Sequence, residues 1–379
     1  MPRSPRAVVT PSALSWARES VGYTIEDAAR RIGVSAERLE RAEQGDHLLT
    51  MRQAEAAARA YDRPLAVLFA PEPPQEEPPE AQLRRLPGAP PLPWPPEMRL
   101  LARRVRDRQG AAVELYDLLE ETPPWTEVQV EYRDTPEELA QDVRNVLGVP
   151  LDEQRSWQDR SGYRPLRAWV DAVEALGVLV MQDGTLPVDR MRGFASTRED
   201  VPAIVVNTND DPRARAFTVV HELGHLLRAR AGVATGAWTE AWCDDFAASV
   251  LTPRDEFARD FEVAGGSPDL LETVDRVALV YGVTPHAAGV RASRLGLAPE
   301  DEIRNVIARI RLRGAGAART GEGGGDHYRT KIARLGPAFV ELVFAALDTQ
   351  ALSHAVASGL LREKVNHLPT LRERLAARR

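Results

Sequence analysis

Residues 217–253 read FTVVHELGHLLRARAGVATGAWTEAWCDDFAASVLTP, and the rest of the chain is organised around this stretch. Within it, His221-Glu222-Leu223-Gly224-His225 is an H-E-x-x-H motif. On an α-helix, residues four apart lie on one face, so both imidazoles point the same way. Two imidazoles so placed are typical of a Zn²⁺ site, and Glu222 stands where it can deprotonate a water molecule held at the metal.

A catalytic zinc site needs a third protein ligand, with the fourth position left to water. Glu240 is the best candidate, because it begins a second amphipathic run after His225. Asp244 lies one turn further on the same face and is predicted to accept a hydrogen bond from a ligating histidine. Asp245, on a different face, is its rival for this role. Cys243 is interpreted as a small core residue beside the site rather than as a ligand or a redox switch.

Short motifs such as H-E-x-x-H also recur by chance, but the apolar flanks and the second motif argue against chance here. The order FTVVHELGHLL, then E-x-W-C-x-x-F-A-A-x-x-L-x-P, resembles the ImmA/IrrE family of zinc metallopeptidases. The upstream segments RGFAS (192–196) and PAIVVNTND (202–210) are similar to the strands before the active helix of that family. The resemblance extends over residues 165–300.

The resemblance implies a bacterial, intracellular peptidase with one Zn²⁺ per chain. Several members of the family cleave a repressor of the helix-turn-helix type and so switch on a stress, DNA-damage or mobile-element response. The alternative is a DNA-binding transcriptional regulator or antitoxin-type binding protein whose zinc domain is inactive or structural. The intact Glu222 favours the enzyme, because a purely structural site has no use for a general base.

The composition is that of a soluble globular protein, with 379 residues of which 43% are hydrophobic and 28% charged. The single cysteine excludes a disulfide framework and fits a reducing cytosol. No apolar run approaches the roughly 18 residues of a membrane span. The N-terminus MPRSPRAVVTPS lacks the apolar core of a signal peptide. We therefore expect a cytoplasmic protein that does not bind membranes.

Residues 1–70 are predicted to form a small helical bundle that contains a helix-turn-helix. Ser12, Thr24 and Ser35 are candidate N-caps of the first three helices. Gly33-Val34-Ser35 forms the tight turn between the second and third helices. The pattern AARRIGVSAERLERAEQG resembles the Xre/lambda-repressor family of DNA-binding domains, which implies DNA binding through residues 24–45.

On the recognition helix, Arg38, Arg41 and Gln44 are the candidate contacts to bases or phosphates. Residues 1–70 carry 10 Arg against 9 Asp and Glu, which is a weak basic face for binding phosphates. A module for protein docking or dimerisation is therefore the alternative, and the oligomeric state stays open with a dimer among the options. The acidic residues that interleave with the candidate contacts are Glu37, Glu40 and Glu43.

The remaining chain divides by composition and periodicity. Eleven prolines in residues 71–96 predict a semi-rigid linker. Residues 97–300 are assigned to the peptidase domain, in which residues 277–297 form either a docking element or, as we prefer, a helical lid that completes the core. Residues 301–379 are predicted to be a helical region with a Gly-rich loop at 314–326 and no assigned chemistry. The fold class is mainly α with a small β-sheet (α+β), the strands lying at 178–182, 192–196 and 203–207.

Overall fold

The computed structural model describes residues 5–75, 94–198, 200–233, 239–265, 269–316 and 326–378. Most of the predicted proline-rich linker and of the Gly-rich loop lies outside these residues. Helices dominate the described chain and two small sheets accompany them, which confirms the predicted mainly-α fold with a small β-sheet. Of the helices described, none combines the length and the apolar character that crossing a bilayer requires.

The N-terminal part of the chain is a helical bundle with a buried apolar core. A short antiparallel ribbon of β1 (Arg6–Ala7) and β2 (Leu49–Thr50) accompanies it. A 3₁₀-helix at Leu65–Phe69 closes the bundle. The four α-helices are α1 (Pro11–Val21), α2 (Ile25–Ile32), α3 (Ala36–Glu43) and α4 (Met51–Ala60).

Helix caps explain where two of these helices begin. The Thr24 side chain accepts a hydrogen bond from Asp27 N–H, and Ser35 accepts one from Arg38 N–H, as the sequence predicts. The predicted cap at Ser12 is wrong, because α1 begins at Pro11 with Thr10 at the N-cap position. Proline is favoured at the first helical position, since its missing N–H has no partner there in any case.

Helix α5 (Pro96–Leu119) is shared between two compact units of the chain. Its residues up to Asp107 pack in the first unit, where Arg103 donates a hydrogen bond of 2.7 Å to the carbonyl of Tyr61. Its residues from Arg108 onward belong to the second unit, which extends through residue 379. Residues 97–107, which the sequence assigned to the peptidase domain, therefore pack with the N-terminal bundle.

The second unit is built on a three-stranded sheet with the order β3-β5-β4. Strands β3 (Leu179–Asp183) and β5 (Ala203–Asn207) are parallel, and β4 (Gly193–Ser196) is antiparallel to β5 at the edge. Between α5 and the sheet, the described chain forms the helices α6 (Pro124–Glu127), α7 (Pro136–Leu147), α8 (Leu151–Ser156) and α9 (Tyr163–Glu174).

In the part of the chain that the structure describes, ten further α-helices follow the sheet. Helices α10 and α11 pack on each other, and residues of α13 and α14 belong to the same apolar core. The helices are α10 (Pro212–Arg230), α11 (Thr239–Leu251), α12 (Arg254–Ala264), α13 (Leu270–Tyr281), α14 (Pro285–Arg294), α15 (Glu300–Gly316), α16 (His327–Leu335), α17 (Pro337–Asp348), α18 (His354–Leu360) and α19 (Leu368–Ala376).

Both faces of the sheet are covered. Val180 and Ile204 belong to the core that includes α10, whereas α16 and α17 pack against β3. The buried carboxylate of Glu174 joins these layers, because it accepts hydrogen bonds from Val180 N–H and Ala338 N–H. The C-terminal helices, for which the sequence offers no chemistry, thus help to enclose the sheet.

A buried arginine fixes the end of helix α11. Arg144 donates to Gln154 Oε1 at 2.8 Å and to the Val250 carbonyl at 2.6 Å. Gln154 in turn donates to the carbonyls of Leu251 and Tyr281. The last carbonyls of a helix lack partners within it, so these two side chains satisfy groups that burial would otherwise leave unpaired.

Replacing Arg144 by Met is expected to lower the free energy of unfolding of the second unit by about 2–4 kcal/mol, because buried carbonyls lose their donors. Urea denaturation followed by tryptophan fluorescence would measure this change, since Trp169 is buried beneath the guanidinium. Arg133→Met is the control: Arg133 forms an exposed ion pair with Asp142, which typically contributes less than about 1 kcal/mol. Equal effects of the two substitutions would contradict the assigned role of Arg144.

Candidate metal centre

Helix α10 carries the H-E-x-x-H residues in its second half. It begins at Pro212, behind an Asp211 side chain that accepts a hydrogen bond from Arg213 N–H. Gly224 allows the close approach of α11, because a Cβ at this position would lie 2.9 Å from Phe246 Cδ1. The glycine inside the motif is therefore needed for packing between the two helices that carry the site.

Three candidate ligands converge between α10 and α11. The Nε2 atoms of His221 and His225 are 3.2 Å apart. The Glu240 carboxylate lies 3.4 Å from each of them, through Oε2 to His221 and Oε1 to His225. One ligand atom from each residue lies within 4.8 Å of the others, so the group could hold a metal ion.

These separations fit Zn²⁺. Zinc bonds of about 2.0–2.1 Å in tetrahedral geometry place neighbouring ligand atoms about 3.3 Å apart. The observed distances between the nitrogen and oxygen atoms are 3.2 to 3.4 Å. His225 is fully buried whereas 59% of the Glu240 side chain is exposed, so the group is open on the side of Glu240. Three protein ligands with one open side are the pattern of a catalytic rather than a structural zinc site.

Each histidine has a second contact through its other ring nitrogen. His221 Nδ1 lies 2.9 Å from Asp244 Oδ1, which is the partner that the sequence proposes. The rival, Asp245, is ion-paired with Arg294 instead. Cys243 is buried, and its Sγ lies 3.4 Å from Nδ1 of His225. Such contacts hold the imidazoles in the orientation that turns both Nε2 atoms towards the same point.

Glu222 is buried beside the ligand group. Its carboxylate accepts a hydrogen bond from the Ala195 N–H of edge strand β4. Its Oε2 atom is buried and has no hydrogen-bond partner among the described residues. A buried carboxylate oxygen normally has a partner, so this atom is suited to a proton or a water molecule that arrives with the reaction.

Strand β4 can approach Glu222 because it begins with glycine. A Cβ at Gly193 would lie 2.4 Å from Thr218 Cγ2 and 2.8 Å from the Val205 carbonyl. The sequence marks RGFAS as a strand but gives no sign that one of its backbone N–H groups binds Glu222. This contact depends on the pairing of Ala195 with Ile204 in the sheet, which sets the orientation of the Ala195 N–H group.

The electrostatics of the metal-free group favour a proton on His221. Burial lowers the pKa of His221, but hydrogen bonds to Asp244 and Glu240 outweigh burial and raise the pKa to about 10. Hydrogen bonds to His221 and His225 hold the pKa of Glu240 well below its usual range. Burial raises the pKa of Glu222 to about 8. At neutral pH a proton therefore occupies the place where a metal would bind.

Zinc binding is expected to release protons, because a ligating histidine must be neutral. Since the proton on His221 competes with the metal, zinc affinity should rise about tenfold per pH unit between pH 7 and 9. Calorimetry in buffers of different ionisation enthalpy should detect at least one proton per zinc at pH 7.5. In Glu222→Gln the proton from His221 should still be released. An affinity independent of pH in this range would contradict a protonated His221.

The candidate nucleic-acid contacts lie together on the N-terminal bundle. Arg38 and Arg41 are exposed on α3, and Gln44 is exposed directly after it. The pKa of the nearby His47 is lowered by desolvation and by the cations of Arg38, Arg6 and Arg41. Three arginines, two of them on α3, therefore lie near His47.

One of the interleaved acids is not part of this surface. Glu43 is turned inward, with 8% of its side chain exposed, and it forms a bidentate ion pair with Arg18 at 2.8 and 2.9 Å. Glu37 and Glu40 remain exposed on α3. The exposed face of the helix is thus less acidic than the sequence alone suggests.

The comparisons with known proteins identify two domains. Residues 173–293 match the family model described as the IrrE N-terminal-like domain, which is of the metallopeptidase type, and residues 13–68 match a helix-turn-helix domain. A helix-turn-helix domain followed by this peptidase-type domain is the architecture of ImmA/IrrE proteins with an N-terminal helix-turn-helix, as the sequence predicts. All five residues of the candidate metal centre, from His221 to Asp244, lie within the first match. No curated protein and no solved structure matches the chain.

Proposed function

We propose that this chain is a cytoplasmic, zinc-dependent endopeptidase that cleaves a specific protein partner. His221, His225 and Glu240 would hold one Zn²⁺, and Asp244 would orient His221. When bound, the metal supplies a low pKa for water and polarises the scissile carbonyl. The partner we expect is a repressor of the helix-turn-helix type, whose cleavage switches on a stress, DNA-damage or mobile-element response.

The observation that carries this proposal is the buried Oε2 atom of Glu222, which lacks a hydrogen bond beside the ligand group. A purely structural zinc site gains nothing from a buried acid next to it. A hydrolase needs a base at this place, because the attacking water must lose a proton. Glu222 would take that proton at Oε2 and later deliver it to the leaving amine, while Ala195 N–H keeps the carboxylate in position.

The second candidate is a DNA-binding regulator or antitoxin-type protein with an inactive zinc domain. The observation in its favour is the exposed pair Arg38 and Arg41 on a helix whose acid Glu43 is neutralised by Arg18. The two functions are compatible, because a helix-turn-helix domain can place a peptidase at the operator where its repressor is bound. DNA binding alone would be the function if no partner is cleaved.

New protein N-termini in cells that express wild type or Glu222→Gln, at rest and under DNA damage, separate these candidates. The proposal expects one or a few termini unique to wild type, within a helix-turn-helix protein. Identical sets of termini under all conditions would overturn the proposed peptidase and favour the DNA-binding protein. The Glu222→Gln protein is the matched control, because it keeps the ligands and the N-terminal domain.

A further inference from the structure

A cavity of about 260 Å³ opens beside the ligand group. Asp244, the hydrogen-bond partner of His221, is part of its lining. Phe217 also lines it, and the ring centroids of Phe217 and His221 are 6.5 Å apart. The cavity therefore begins about one side chain away from the proposed metal, where a substrate chain would continue from the scissile bond.

The walls of this cavity are largely apolar. Phe217 and Leu251 face it from α10 and α11, and Val283 and Val290 face it from the turn before α14 and from α14 itself. Sites for whole small molecules usually have roughly 300–1,000 Å³. The volume here is below that range, so the cavity suits one large apolar side chain of a longer substrate.

Most polar side chains that line the cavity already have hydrogen bonds or ion pairs within the protein, so they offer little to a ligand. Arg291, for example, donates to Thr252 O and to Glu137. The polar residues with such partners are Thr218, Thr252, Thr284, His286, Arg291 and Arg294.

Among the described residues, Arg192 has only one long ion pair, with Asp210. Its side chain is 69% exposed, and the nearest acidic atom described is Asp210 Oδ2, 3.9 Å from a terminal nitrogen and beyond hydrogen-bond distance. Arg192 directly precedes Gly193, the first residue of the strand that holds Glu222 through Ala195. The Arg192 guanidinium therefore lines the cavity next to strand β4 and has N–H groups that can donate to a ligand.

We propose that the cavity and Arg192 together select the substrate sequence. A large apolar side chain enters the cavity, and an acidic side chain one or two residues away in the same peptide binds the Arg192 guanidinium. The planar guanidinium forms paired hydrogen bonds with a carboxylate, which gives direction as well as attraction. This inference rests on the proposed peptidase function and states the chemistry that its substrate carries.

Substitutions of Asp210 and of Arg192 should have opposite effects on the binding of acidic peptides. The Oδ2 atom of Asp210 is buried and has no hydrogen bond among the described residues, and Asp210 is the acid nearest to Arg192. The negative charge of Asp210 competes with an incoming carboxylate for the guanidinium. Asp210→Asn should therefore strengthen the binding of acidic peptides, whereas Arg192→Gln should weaken it.

The test uses the full chain loaded with zinc and carrying Glu222→Gln, so that bound peptides stay intact. Fluorescein-labelled peptides with Phe or Leu beside Glu are compared, by fluorescence anisotropy, with the same peptides carrying Gln. The Glu peptides should bind about two- to fivefold more tightly, as expected for an ion pair at an exposed guanidinium. Arg192→Gln should remove this preference, and Asp210→Asn should increase it about two- to threefold. Arg190→Gln, an exposed neighbour outside the cavity lining, should leave it unchanged.

Equal binding of the Glu and Gln peptides, no binding of either, or a preference that survives Arg192→Gln would overturn the inference. Failure of the proposed function gives a different result. In that case the preference is present but the zinc-loaded protein with Glu222 intact hydrolyses neither series. Hydrolysis of both series with equal kcat/KM would overturn the inference that Arg192 selects acidic substrates, but it would still support the proposed peptidase activity.

Discussion

Replacement of Glu222 by Gln is expected to lower kcat for peptide hydrolysis by about 10²–10⁴-fold, because this is the usual contribution of positioned proton transfer. Zinc content should stay at one per chain, since Gln keeps the shape of the side chain and the ligands are untouched. Turnover of a peptide substrate, and metal analysis of the same sample, measure the two effects.

The control for this substitution is Glu262→Gln, the same chemical change at an exposed position of α12. It should leave both turnover and metal content unchanged. Loss of zinc in Glu222→Gln would mean that Glu222 is a ligand rather than a base. Retention of full turnover would remove Glu222 from the mechanism.

Removal of Glu240 is expected to lower zinc affinity by more than about a hundredfold, because loss of an outer partner of a ligand already costs about 10–100-fold. Glu240→Ala leaves two histidines whose Nε2 atoms face each other at 3.2 Å without the carboxylate that joins them. Asp244→Asn should lower zinc affinity less than Glu240→Ala does, because Asp244 contacts a ligand rather than the metal and the Asn side chain can still accept a hydrogen bond from His221. Competition with a chromophoric chelator measures these affinities.

Asp245→Ala is the matched control, because Asp245 is a neighbouring acid on the same helix but pairs with Arg294. Its zinc affinity should be that of the wild type. If Glu240→Ala bound zinc as tightly as Asp245→Ala, the assignment of Glu240 as the third ligand would be wrong, and the metal would have to be held by another group.

The helical period predicts the geometry of the histidine pair, because residues four apart share a face whatever the rest of the fold does. The same reasoning predicts that Asp244 follows Glu240 on one face of the next helix. It does not reveal the hydrogen bond from Ala195 to Glu222, because a backbone N–H leaves no trace in the residue types. That contact depends on the register between two strands, which side-chain patterns specify only in part.

The charge pattern of the helix-turn-helix overstates the acidity of the exposed face of α3. Glu43 follows Leu39 by four residues, and Leu39 is fully buried, so both lie on the inward face of α3. The sequence thus contained the information that Glu43 does not oppose Arg38 and Arg41. Its partner, Arg18, comes from α1, and no sequence spacing identifies a pair between different helices.

The role of the C-terminal helices could be predicted only in outline. All five residues of β3 are buried, and continuous burial of a parallel strand indicates layers on both faces of a sheet. In the sequence, only the apolar run 179–181 points to a second layer. It does not say that α16 and α17, more than 140 residues further along the chain, supply it, because amphipathic helices fit many apolar surfaces equally well.

The most direct test of the account is hydrolysis of a peptide library by the purified full chain with one equivalent of zinc, with products identified by mass spectrometry. We expect cleavage that is abolished by chelation, restored by added zinc and absent in Glu222→Gln. Cleavage that persists in Glu222→Gln, or no cleavage of any peptide by a protein shown to hold zinc at His221, His225 and Glu240, would contradict the assignment of this centre as a peptidase.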